Sequence, residues 1–509
     1  MKHYNRIFMC LLAALLVAPT LMACSDNSST NETTAQSNVS DTKTEEVTET
    51  TDPFADFDYE GRDFRIWTSI NKAATSMGNS NYMIQGEEEL TGDAAPDAAY
   101  ERNNKVSELL NVTFQYAQLD KSYDLVKAEI QKYVMAGENA YELIINDMYG
   151  TASLTLEGMF YNVLEGEHFD FSQPWWYSNF MEDVAINSNY QYMLGGDYFI
   201  DILRCSHCLF YNKNMYGDLY GDEDGLYDIV LAGDWTLDKL NSIIEEAYID
   251  MNGDGKKDLD DQFGYTSFEI WGSMIPFLVS ANPGCIERDE NGYPMITMNN
   301  DNSIQLMDEM YDLYCEGNGA WVANGVTEDI AVTNFTSGKT LLVGYQRLGS
   351  LENAYIREME DGLGVIPYPK LNDLQDHYTT STHDTCEIGL IPVTIPSDDL
   401  DFISAVVEVL CRETYNSVLP VYYESSLKMK YTRDDTSAQM IDIIHDNIGN
   451  SFPLAYDISL NGILLSGIYS TDNIGAGKKD FASSYAKREG AALEALDKII
   501  ADFEAKKAD

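Results

Sequence analysis

Apolar positions along the chain follow two rhythms that take turns. Phe64 and Ile66, in a run ending at Trp67, have the two-residue period of a strand, and Val112, Phe114 and Tyr116 repeat it. A helix is predicted between them, near Ala98 to Leu110. Tyr123, Val126, Ile130, Tyr133 and Val134 have the three-to-four spacing of a helix, and Gly137 is placed to end it. Tyr141 to Ile145 is a short continuous apolar run leading into Asn146-Asp147. Strand, helix, strand, helix, strand is the βαβ pattern of an open parallel sheet in an α/β protein. Further on, Thr236 precedes an apolar face of Leu237, Leu240, Ile243, Ile244 and Ala247, so it is the expected N-cap. Phe263 to Ser267 and Ile388 to Val393 are expected strands. Ser303 to Cys315, Phe402 to Cys411 and Lys487 to Lys507 are expected helices, and residues 191 to 232 have the look of strands and turns.

The rhythm is absent at the start. Lys2 and Arg6 precede an apolar run from Ile7 to Leu21, closed by Leu21-Met-Ala-Cys24. A charged start, an apolar stretch shorter than a span of about 20 residues and a small residue before the cut describe a secretory signal. The terminal cysteine matches a bacterial lipobox, in which Cys24 becomes the lipidated first residue of the mature protein. Residues 1–23 are therefore expected to be a lipoprotein signal peptide. Residues 24–52, rich in Ser, Thr, Asn, Asp and Glu, are an expected disordered tether.

Charge narrows the partners. The 509 residues carry 84 acidic against 32 basic side chains, a formal charge of -52, which makes a phosphate backbone a poor partner and nucleic acid an unexpected one. Of eight cysteines, Cys10 leaves with the signal and Cys24 carries the anchor. Cys205-Ser-His-Cys208 is a lone C-x-x-C, readable as a local disulfide or two buried thiols, with no second pair to complete a zinc set.

Candidate chemistry clusters at strand ends, where open α/β sheets bind ligands. Trp67, Asn146, Asp147 and Tyr149 lie at such ends. Phe169-Asp-Phe-Ser-Gln-Pro-Trp175-Trp176-Tyr177 sets three rings side by side, and rings that cannot all enter one core mark a surface on which sugar C–H faces can rest. Trp271 stands in an otherwise apolar stretch. Asp250-Met-Asn252-Gly-Asp254-Gly255-Lys256-Lys-Asp258-Leu-Asp260-Asp261 has the spacing of an EF-hand loop. Asp250, Asn252 and Asp254 would ligate through side chains, Lys256 through its carbonyl, Asp258 directly or through water, and Asp261 in place of the usual glutamate. The expected cofactor is one structural calcium ion pinning the preceding helix to the strand at Phe263. Ser337-Gly-Lys-Thr340 is not a P-loop, because Thr333 occupies the place of its first glycine.

Several stretches together resemble the extracellular solute-binding proteins, family 1, of carbohydrate ABC importers. They are the aromatic run at Phe169, Gly233-Asp-Trp-Thr-Leu-Asp-Lys-Leu240, the loop from Asp250 to Gly264, Phe335-x-Ser-Gly-Lys, Gly364-Val-Ile-Pro-Tyr-Pro-Lys370, Ile391-Pro-Val-Thr394 and Tyr422 to Lys430. The resemblance implies a two-lobed, type II periplasmic-binding-protein-like α/β fold with a hinge and an interlobe cleft. Lobe one is then 53–170 with 346–412, and lobe two 171–345 with 413–509. It implies a lipid-anchored monomer on the outer face of the cell membrane that binds a sugar or oligosaccharide and passes it to membrane permease subunits, with no catalysis. Trp67, Asp147, Trp175, Trp176, Tyr177, Trp271 and Tyr345 are the expected ligand contacts. Two alternatives stand beside it: a tethered adhesin or sensor partner binding polysaccharide, and a glycoside hydrolase, which needs two carboxylates about 5–9.5 Å apart across a cleft.

Overall fold

The computed structural model describes residues 52–507 apart from 70–80, 87–88, 120–122, 318, 323–325 and 428–434. The expected signal segment, Cys24 and nearly all of the expected tether lie outside the described residues. In chain order the strands are β1 (Arg62–Ser69), β2 (Val112–Leu119), β3 (Leu143–Asp147), β4 (His207–Asn212), β5 (Phe263–Ser267), β6 (Ile286–Arg288), β7 (Pro294–Ile296), β8 (Ala320–Val322), β9 (Thr340–Arg347), β10 (Leu363–Ile366) and β11 (Glu387–Leu390).

They form two main sheets. The first has the order β11-β3-β1-β2 and the second β10-β4-β9-β5-β8, with β6 and β7 as a separate hairpin. β1 runs parallel to β2 from Arg62↔Val112 to Ser69↔Leu119, and parallel to β3 on its other side. This is the βαβ unit that the apolar rhythm predicts. β3 is buried along its whole length, as a strand covered on both faces must be. In the second sheet β5 is parallel to both neighbours, while β4 runs antiparallel to β9 and to β10.

The segment 346–412, expected wholly in lobe one, supplies a strand to each sheet: β10 pairs with β4 and β11 with β3. The cause is a strap. The Trp235 indole donates to the Pro367 carbonyl at 2.9 Å, Lys370 N–H donates to the Trp235 carbonyl at 3.0 Å, and Leu237 N–H to the Lys370 carbonyl at 2.9 Å. Trp235 is fully buried there, so Gly364–Lys370 is fastened to the second sheet's side of the molecule. Thr236 caps its helix as expected, accepting from Lys239 N–H, and the five apolar residues of the predicted face are the buried ones.

Three boundaries differ from expectation. Residues 191–232 form β4 followed by helices Lys213–Tyr220 and Gly225–Leu231, because Asn212 caps the first and Gly221, at φ 81°, closes it. β11 stops at Leu390, just ahead of Pro392, which has no N–H to donate to a ladder. The last helix starts at Phe481, where Asp480 accepts from Ser483 N–H at 3.2 Å.

A buried charge pair ties these parts together and makes stability depend on pH. Asp197, wholly buried, accepts from the Tyr177 hydroxyl at 2.8 Å and faces His445 Nε2 at 3.3 Å, while His445 Nδ1 meets Asp446 at 2.8 Å. Burial alone would lower the His445 pKa; the two carboxylates outweigh it and raise it to about 9. An unfolded histidine titrates near 6.5. The contribution of His445 is therefore complete below pH about 6.5 and is lost as pH rises through about 9, at most roughly 3 kcal/mol. Chemical denaturation should show the protein losing stability over pH 6.5–9 relative to a His445→Gln variant; parallel pH profiles for the two proteins would refute this.

Candidate ligand cleft

A cavity of about 410 Å³ opens beyond the carboxyl ends of β3 and β5, one strand from each sheet. Its size is within the range of about 300–1,000 Å³ typical of small-molecule sites. On the first sheet's side, Asp147 ends β3 and caps helix Met148–Thr155 by accepting from Gly150 N–H at 2.7 Å. That cap points the first turns of the helix at the cavity, so Tyr149, Gly150 and Ser153 form its wall. Lys127, on helix Tyr123–Met135, donates to Ser153 Oγ at 2.6 Å and adds an ammonium group. Asp384 completes this wall just ahead of β11; His383 Nδ1 lies 2.9 Å from its Oδ1.

On the second sheet's side, the chain leaves β5 and turns at Glu269, a non-glycine residue at φ 55°, into helix Ile270–Ser280. Trp271 and Ile275, four apart and so on one face, reach the cavity. The remaining lip runs from Leu454 to Leu465. Asp457 holds it by accepting from Leu464, Leu465 and Ser466 N–H groups at 2.9–3.0 Å. Trp271 is 40% and Tyr149 45% exposed, so both rings keep open faces. An open ring beside a carboxylate, an ammonium and hydroxyls can seat a C–H face and pair with surrounding hydroxyl groups.

Of the expected ligand contacts, the structure brings Trp271 to this cavity. Asp147 is buried beneath it, serving as the cap, and burial raises its carboxyl to about 7 with Asp384 adding repulsion. Tyr345 stands behind the wall, its hydroxyl 3.1 Å from His383 Nε2. The other four are placed elsewhere. Trp67 is a core residue of the first sheet, stacked on Tyr141 at 5.3 Å and edge-on to Tyr133 at 5.6 Å. Trp175 and Trp176 both donate their indole N–H to Glu408, at 2.8 and 2.9 Å, and Trp176 is boxed in by Phe169 and Phe171. Tyr177 is buried on Asp197. The two tryptophans thus share one carboxylate, carried by helix Leu400–Glu413 more than two hundred residues later, while Tyr177 bonds a second, Asp197. Lys127, Ser153, Ile275, Asp384 and the 454–459 lip escaped the sequence reading, since none belongs to a motif. Tyr149, at a strand end, was legible.

The loop at Asp250 turns on two glycines and is tied by hydrogen bonds from its own N–H groups. Gly253 and Gly255 adopt φ 73° and 71°, and Asp250 accepts from both of their N–H groups, at 2.7 and 3.0 Å. Asn252, Asp254 and Asp258 each accept from the N–H two residues on, at 2.8–2.9 Å. Asp261 is fully buried and accepts from Met251 and Asp258 N–H groups. Among the described residues no group of three or more His, Cys, Asp or Glu is placed to hold a metal ion. The side chains of Asp250, Asn252, Asp254, Asp258 and Asp261 accept from N–H groups of the loop, and the Lys256 N–H donates to Asp254. Cys205 and Cys208 are buried free thiols.

No family model matches the chain, and no curated protein matches its sequence. Solved structures do match it. An ABC transporter solute-binding protein from Thermotoga lettingae, bound with alpha-D-tagatose, superposes with a TM-score of 0.50 at 12% identity, over 86% of this chain and 100% of that one. The galacto-N-biose-/lacto-N-biose I-binding protein of an ABC transporter from Bifidobacterium longum, in complex with lacto-N-biose, gives 0.51 at 10%, over 86% and 98%. UgpB from Mycobacterium tuberculosis, in complex with glycerophosphocholine, gives 0.50 at 14%, over 86% and 99%. At such identities the likeness speaks to architecture, and the architecture it establishes is the two-lobed type II fold of the ABC-transporter solute-binding proteins.

Proposed function

We propose that this chain is a receptor that binds a sugar or oligosaccharide between its two lobes and delivers it to the permease of an ABC importer. The observation that carries the reading is the open face of Trp271, opposite Asp384, Lys127 and Ser153, in a cavity beyond the strand ends of both sheets. Two proteins of the same fold were solved with sugars, tagatose and lacto-N-biose. A binding role also fits the carboxylates of the cavity wall: Asp457 is committed to backbone N–H groups, which leaves Asp384 without it as the partner hydrolysis requires. The second reading, a glycerophosphodiester, follows from the third structure. Lys127 is the ammonium the wall offers its single phosphate charge, and the open face of Trp271 could seat its choline.

Lipidation at Cys24 would hold the receptor outside the cell beside its permease, with residues 25–52 as the leash. No helix among the described residues is long and apolar enough to cross a membrane. Calcium belongs to the same proposal, as a structural ion that would draw the carboxylates at Asp250, Asp254 and Asp258 off the loop's N–H groups.

One thermal-shift series tests both parts. D-tagatose, lacto-N-biose, maltotetraose and glycerophosphocholine are each added with 1 mM calcium and with chelator. A ligand at about 100 times its Kd adds roughly 2.7 kcal/mol, a rise of a few degrees. The expected result is a rise with a sugar and a separate rise with calcium alone, the latter lost in Asp254→Ala. A rise with glycerophosphocholine only would overturn the sugar reading, and melting indifferent to calcium would overturn the ion.

A further inference from the structure

The cavity is not polar all round. Its ionic and hydroxyl groups gather on the first sheet's side: the Lys127 ammonium, Ser153 Oγ and the Asp384 carboxylate, all half-buried, beside the open ring of Tyr149. On the second sheet's side Trp271 has an indole N–H, but Ile275, one turn further along the same helix, has no polar side-chain atom. The lip continues in the same way. Leu454 and Ala455 are half-buried, Leu465 is buried and Ile458 is 70% exposed. Asp457 lies among them, but its carboxylate is committed to the N–H groups of Leu464, Leu465 and Ser466. That leaves the Ser459 hydroxyl as the lip's polar group among the described residues.

A single exposed isoleucine is ordinary on a protein surface. Ile458 differs because it is held beside a cavity. Tyr456, two residues earlier, donates its hydroxyl to the Val184 carbonyl at 3.0 Å, and Gly462 N–H donates to the Asp457 carbonyl at 2.8 Å, so the turn that bears Ile458 is tied on both sides. A ligand that fills this cavity has to match two unlike halves. A second sugar ring laid against Ile275, Leu454 and Ile458 would bury hydroxyls with little to pair with, and a buried hydroxyl without a partner is penalised. An apolar group in the same place gains in proportion to the area it removes from water.

We propose that the lip is an aglycone subsite: the cavity takes a glycoside, with one sugar unit beside Lys127, Ser153 and Asp384 and an aryl or alkyl group against Ile275, Leu454 and Ile458. The proposal rests on the sugar-binding reading and narrows it. Trp271 keeps its part in seating the sugar, and Ile458 sets which sugar derivatives are preferred.

Calorimetry with matched ligands tests this: methyl and phenyl glycosides of D-glucose and D-galactose, each as both anomers, with lacto-N-biose and benzyl alcohol alongside. For the sugar that binds, the phenyl glycoside is expected to bind about tenfold tighter than the methyl glycoside. Ile458→Ser shrinks that preference to about threefold or less. Ser153→Ala weakens both glycosides and keeps the preference. Both variants melt near the parent, and a purely structural role for Ile458 would not move the preference. Equal affinity for phenyl and methyl glycosides, a preference indifferent to Ile458→Ser, or lacto-N-biose binding more tightly than every phenyl glycoside overturns the proposal and leaves the sugar reading standing. If no sugar or glycoside binds, while benzyl alcohol binds and Ile458→Ser weakens it, the sugar reading fails and the apolar subsite stands. Silence from all the probes overturns both.

Discussion

Trp271→Ala is expected to weaken sugar binding about thirtyfold and to leave the fold untouched. Indole rings are over-represented among residues whose truncation costs about 2 kcal/mol or more of binding, and 2 kcal/mol is roughly thirtyfold. The ring qualifies because it is aimed rather than buried. Helix Ile270–Ser280 buries nine of its eleven residues, so its frame is set by packing, and Trp271 is the side chain it leaves 40% exposed at the cavity mouth. Losing an exposed ring removes little core contact, so the melting temperature should stay within about 2 °C. Calorimetry against the sugar that raises the melting temperature, with a melting curve on the same sample, reads both numbers. Unaltered affinity would remove Trp271 from the site.

The opposite outcome is expected at Trp176. This ring is 5% exposed, edge-on to Phe169 and Phe171, and its N–H is bonded to Glu408. Truncating a buried tryptophan to alanine costs about 3–5 kcal/mol. Glu408→Ala attacks the same knot from the other end, since it strands the indole N–H groups of Trp175 and Trp176 together, at about 1–3 kcal/mol for each buried donor left unpaired. Denaturant midpoints should fall sharply for both variants. Where the protein remains folded, sugar affinity should be near that of the parent. A Trp176→Ala protein with parental stability and lost binding would return the aromatic run to the cleft.

The contrast between these tryptophans shows what the sequence can and cannot disclose. Strand and helix periodicity is local, so β1 to β3, the helix capped by Thr236 and the strand at Phe263 were legible from spacing. The rule that ligands sit past strand ends found Tyr149. Trp271 was picked for its place in an apolar stretch, and it too lies beyond a strand end. Whether a ring faces water or a buried acceptor is settled by distant residues. Glu408 bonds Trp175 from 233 positions away, and no spacing reveals such a pairing. The same limit hid Asp384, which meets Tyr149 through a backbone bond from Tyr149 N–H to the Asp384 carbonyl at 2.7 Å. It also hid how the strands of 346–412 divide between the two sheets, which depends on the Trp235–Pro367 strap. The loop at Asp250 shows a third case: its turn geometry is local, so the left-handed Gly255 was legible from spacing.

The most direct measurement of the central claim is hydrogen exchange read by mass spectrometry, with and without saturating lacto-N-biose, maltotetraose or D-tagatose. A sugar held between the lobes should slow exchange in peptides covering 148–155, 270–276, 383–387 and 454–459 together, because they form one wall from both sheets. Protection confined to 169–177, or no protection with any of the three sugars, would contradict the account.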